Sequence, residues 1–105
     1  MDQEARAILE EGKQAGQGHA GKTLVKEGPL RLTILGFVAG SSLHEHKAGG
    51  PVILEARSGT VEMSSGGTST LLNAGDILVL AKDISHSLVA SSDAVILLSV
   101  AMPEN

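Results

Sequence analysis

Ala5, Ile8, Leu9 and Gly12 recur at three- and four-residue intervals, which predicts a short amphipathic helix at the N-terminus. Asp2 is placed to cap it, and Glu4 sits near the positive end of its dipole. The following QAGQGHAG is rich in Gly and Gln and is predicted to be a loop. Beyond it the apolar period falls to two. Leu30, Leu32 and Ile34 alternate with Arg31 and Thr33, and Val52, Leu54 and Ala56 alternate with Glu55 and Arg57, as in half-buried strands. GTVEMSSGGTSTLL reads as two strands joined by a turn at Ser65, Gly66 and Gly67, and AGDILVLA, ISHSLVA and AVILLSVA supply more. Some eight or nine short strands follow one helix, the pattern of an all-β sandwich or barrel.

The chain divides into a helix and Gly-rich loop over 1–21 and a β-domain over 22–105, making a single domain overall. Its 105 residues include one Phe and no Tyr or Trp, so the core must be built from Leu, Val, Ile and Ala. Net charge is −4, without the basic footprint that a phosphate backbone demands, so nucleic acid is not an expected partner. The absence of cysteine excludes disulfides, thiolate metal sites and cysteine nucleophiles. Neither a signal-peptide pattern nor an apolar run of membrane-spanning length is present, and a cytoplasmic protein with no membrane partner is expected.

Gly16 to Thr23 reads GQGHAGKT and satisfies the spacing of a phosphate-binding P-loop. That loop works only between a buried strand and a helix N-terminus, where backbone amides and the dipole converge on phosphate. Here a helical pattern precedes the glycines and the strand-like TLVKE follows, so the match is expected to be inert.

The histidines carry more chemistry. His44 and His46 are two apart, a spacing that in a regular strand turns both imidazoles to one face. His86 alternates with Ile84 and Leu88, which predicts an inward ring. A buried histidine needs a partner, and metal coordination, a structural hydrogen bond and acid/base work all remain open. His19 falls in the Gly-rich loop, apart from the others.

From Gly40 to Val100 the order of these features resembles a cupin domain. LHEHKAGGPVILEARSGTV is similar to the first cupin motif, with His44, His46 and the turn glycine Gly59 matching. The motif's acidic ligand would fall at Val52 or Pro51, and neither is acidic. AGDILVLAKDISH is similar to the second motif, with Gly75 and His86 in register, Ala81 where Pro is usual and Asp83 where the turn Gly is usual. The helix followed by GKTLVKEGPLRLTILGF resembles a small branch of single-domain cupins that keeps only the second histidine of the pair.

The resemblance implies a cupin-type double-stranded β-helix, a jelly-roll barrel with a short N-terminal helix. It also implies a metal site at His44, His46 and His86 for a divalent transition metal such as iron, manganese, nickel or zinc. Two functions stay open: a metal-dependent enzyme acting on a small molecule, and a non-catalytic ligand-binding or sensory module with a vestigial site. Glu55 and Glu62 are general-base candidates by composition alone, and alternation puts Glu55 on the outer face. A homodimer is expected, because Leu35 and Phe37 fall opposite Leu32 and Ile34 and one core cannot take both sets.

Overall fold

The structure, a computed structural model, describes residues 2–102, the side chain of His46 excepted. Helix α1 (Asp2–Gln14) leads into β1 (His19–Glu27), β2 (Leu30–Phe37), β3 (Ser42–His46), β4 (Val52–Ser58) and β5 (Thr60–Ser65). After these come β6 (Thr68–Asn73), β7 (Ile77–Leu80), β8 (His86–Ala90) and β9 (Ala94–Ala101). They build two antiparallel sheets, one in the order β1-β2-β9-β4-β7 and the other β3-β8-β5-β6. The fold is the all-β barrel with one N-terminal helix that the alternation predicts.

The sheets close on a core of Phe37, Val52, Leu54, Val61, Leu88, Ile96 and their neighbours, each from the inward-facing set of its strand. Strand β2 shows why one core does not suffice. Leu35 and Phe37 turn into the barrel, whereas Leu32 and Ile34 turn outward and pack with Ile8 of α1, Val95 and Leu97. The helix therefore covers the second apolar face. A buried isoleucine such as Ile8 contributes about 1.5–3 kcal/mol to that docking. Close approach is possible because β2 has no side chain at Gly36, where a Cβ would lie 2.6 Å from the Ile8 carbonyl oxygen. The opposed pairs of β2 are thus satisfied within one chain, and the reason they gave for a dimer falls away.

Strand β1 begins at His19, inside the stretch read from sequence as loop. The turn shrinks to the residues around Ala15–Gly18, where Gly18 N–H donates to the Ala15 carbonyl at 3.1 Å. His19, Ala20 and Gly21 then pair with Phe37, Gly36 and Leu35, and ladder bonds outweigh the weak strand preference of glycine. Lys22 lies mid-strand, so the P-loop lookalike opens a β-ladder rather than a helix. Other turns follow the sequence closely. Gly66 and Gly67, at φ 56° and 83°, form the two-residue link between β5 and β6.

Candidate functional site

Strand β8 presents His86, Leu88 and Ala90 inward, alternating with Ser87 and Val89. His86 is 1% exposed, the one polar side chain among the fully buried core of the described residues. Ile84, expected on the same inner face, precedes the strand and is exposed, because the loop between β7 and β8 runs up to Ser85. That loop turns at Asp83, whose φ of 63° is the left-handed conformation usually given to glycine. Asp83 N–H donates to the Ala48 carbonyl at 3.0 Å, tying this loop to the one between β3 and β4. The aspartate thus takes the turn role of the glycine it replaces.

The loop also orients the imidazole. His86 Nδ1 lies 3.1 Å from the Ile84 carbonyl oxygen, and a carbonyl only accepts, so Nδ1 carries the proton. Nε2 is then the nitrogen with the lone pair, the arrangement that metal-binding histidines use. This anchor is a main-chain oxygen and has no signature in sequence.

In the ladder between β3 and β8, His46 is the direct cross-strand partner of His86. Leu43 pairs with Leu88, so three steps along β3 match two along β8, and a bulge lies between Leu43 and His46. Simple alternation therefore does not run from His44 to His46. His44 is exposed, while the side chain of His46 lies outside the described residues. The structure thus brings His46 and His86 into one register and leaves His44 at the surface. Among the described residues no three His, Asp or Glu side chains come together.

Of the two places where the first cupin motif could put a carboxylate, Val52 is buried in the barrel core, paired with Leu80 and Val100, and Pro51 is exposed. Glu62 alternates with the buried Val61 and Met63, and Glu55 with the buried Leu54 and Ala56. Both therefore stand on outer faces. Glu55 accepts from Arg57 at 3.4 Å there. Two open recesses, of about 330 and 220 Å³, flank α1, and none of the histidines lines either.

This architecture is that of the cupins. A conserved protein of unknown function from Streptococcus pyogenes superposes with a TM-score of 0.78 at 23% identity, over 90% of this chain and 86% of that one. A cupin superfamily protein from Desulfitobacterium hafniense gives 0.78 at 14% identity, over 81% and 78%. Salicylate 1,2-dioxygenase from Pseudaminobacter salicylatoxidans gives 0.83 at 18% identity, over 94% of this chain and 33% of that one. The chain has the cupin fold, and at these identities the likeness speaks for the fold alone. No protein-family model and no curated protein sequence matches it. Among the described residues no helix is long and apolar enough to cross a membrane.

Proposed function

We propose that the end of the barrel where His46 pairs with His86 in the ladder is a binding site for a divalent transition metal, and that the protein acts there on a small molecule. The observation that carries this reading is the His86 ring, buried and pinned through Nδ1 to the Ile84 carbonyl, which makes Nε2 the coordinating nitrogen. His46 is its partner by register, and His44, exposed two residues earlier on the bulged strand, would have to turn inward to complete the set as a third ligand. Of the expected metals, iron, nickel and zinc suit imidazole donors, whereas manganese favours oxygen ligands such as carboxylate. Bound there, the ion would supply Lewis-acid activation or dioxygen chemistry. The chain's own part is to hold the His86 ring in one tautomer and to line the interior with Leu88, Met63 and Val61, which keeps water out. An acidic chain handling a diffusible small molecule suits the cytoplasm.

A second reading has support in Val52. With an aliphatic core residue in place of the carboxylate, and with Glu55 and Glu62 outside, the barrel lacks an acidic ligand and an interior base. This favours a non-catalytic module that binds a small ligand around a vestigial site. Metal analysis of the purified protein separates the two. The metal reading predicts substoichiometric metal in the wild type and none in His86→Ala or His46→Ala. Equal trace metal in all three proteins would leave the binding module.

A further inference from the structure

The larger recess beside α1, about 330 Å³, lies between the helix and the end of the five-stranded sheet where β4 stops and β9 begins. Asp2, Ala5, Arg6 and Leu9 line it from the helix, a stripe at i, i+3, i+4 and i+7. Arg57 and Ser58 of β4 and Val95 of β9 line it from the sheet. Simple alternation after Leu54 and Ala56 would turn Ser58 into the barrel. The ladder between β4 and β9 instead slips, with Ala56 opposite Ile96 and Ser58 opposite Val95, so Arg57 is an extra residue in β4. That bulge brings two consecutive residues of the strand to the helix side.

The lining has two parts. Val95, Leu9 and Ala5 give it an apolar floor, and all three belong to the cluster that docks the helix. Beside that floor stand two of the chain's three arginines. Among the described residues Arg6 makes no ion pair or hydrogen bond. Arg57 reaches Glu55 at 3.4 Å, longer than the about 2.7–2.9 Å of a well-formed charged hydrogen bond. A guanidinium carries five N–H donors in a planar fork that matches a carboxylate, and most of these are uncommitted. In a chain of net charge −4, this lining of two arginines and Asp2 keeps one positive charge. A single negative charge therefore suits it. A phosphate monoester would bring a second charge against Asp2. The volume lies at the lower end of the range of about 300–1,000 Å³ usual for small-molecule sites.

We infer that this recess binds a small monocarboxylate. Arg6 and Arg57 share its carboxylate, and its short aliphatic or monocyclic body rests on Leu9, Ala5 and Val95. The inference is independent of the metal site, since no histidine lines the recess and Val52 stands at the opposite end of β4.

Titration with hexanoate, followed by amide chemical shifts in NMR and with circular dichroism as the check of fold, tests it. Hexanoate should shift the amides of Arg6, Leu9, Arg57 and Val95 and saturate in the millimolar range. Acetate and inorganic phosphate should bind at least about tenfold more weakly, and hexylamine should not bind. Arg6→Gln and Arg57→Gln, both at exposed positions, should each weaken hexanoate about tenfold, the loss of a charge-assisted hydrogen bond. Lys26→Gln, which removes an exposed charge of β1, should change nothing, and Asp2→Asn should tighten binding. Hexanoate that leaves these amides unmoved would overturn the inference, as would a folded Arg6→Gln/Arg57→Gln protein that binds it as well as the wild type. So would hexylamine or phosphate binding as tightly as hexanoate, or Asp2→Asn binding more weakly.

Discussion

His19 and His86 each open a strand and each turn a ring toward other residues, but at opposite ends of the barrel. His19 begins β1, paired in the ladder with Phe37, their ring centroids 5.7 Å apart and tilted by 33°. Its Nδ1 is buried with no hydrogen-bond partner among the described residues. His86 begins β8, and its Nδ1 is held by the Ile84 carbonyl, while His46 is its partner in the backbone ladder. One ring serves as packing and the other is oriented as a donor. The ring of His19 packs beside Phe37 on the barrel side of β2, away from the face that the helix covers. The surroundings of His86 are built from two loops tied together at Asp83 and Ala48. A histidine's environment, more than its presence, therefore separates structure from chemistry.

The strongest way to break this contrast is to damage one end and ask whether the other notices. Ile8→Ala should cost about 3 kcal/mol in a urea unfolding experiment, within the range for emptying a buried isoleucine site. Any metal-induced gain in melting temperature should nevertheless survive in the folded protein. Loss of that gain in Ile8→Ala would mean that the two ends are coupled and the contrast is false.

His86→Ala should be milder in stability, about 2 kcal/mol, since it leaves a cavity and strands the Ile84 carbonyl. Its diagnostic effect is the loss of the metal response, read in the same melts. His19→Phe should go the other way. Replacing a ring whose buried nitrogen lacks a partner with one that needs none is predicted to be neutral or to stabilise by up to about 1 kcal/mol. A loss of that size in chemical denaturation would show that His19 has a polar role. Lys22→Ala, in the P-loop lookalike beside this corner, should change stability by no more than about 0.5 kcal/mol. A melting temperature raised by Mg-ATP in wild type but not in this variant would contradict the strand reading.

Much of this was legible from the chain. The two-residue alternation located the strands because each is buried on one face, and His86 could be placed inward from its phase with Leu88. Gly59 was recognisable as a turn glycine, and at φ 75° a Cβ there would strike the Asp93 carbonyl oxygen. What escaped was set by partners distant in sequence. The apolar pairs of β2 announced two buried faces but not that α1 would cover the second. The start of β1 depended on β2 being alongside it. The bulge in SLHEH has no glycine to mark it, so the spacing of His44 and His46 suggested a shared face that the backbone register does not support. Nor could the sequence show that the Ile84 carbonyl fixes the tautomer of His86.

The central claim is that His86, oriented by that carbonyl and paired in the ladder with His46, is a metal ligand. Melting curves of wild type, His86→Ala and His19→Ala at pH 8, where an ordinary imidazole is neutral, should be compared with and without nickel, manganese, iron and zinc. At least one of these ions is predicted to raise the melting temperature of wild type and of His19→Ala, and none to raise that of His86→Ala. A wild-type curve unmoved by all four, or a His86→Ala protein that responds as well as the wild type, would contradict it.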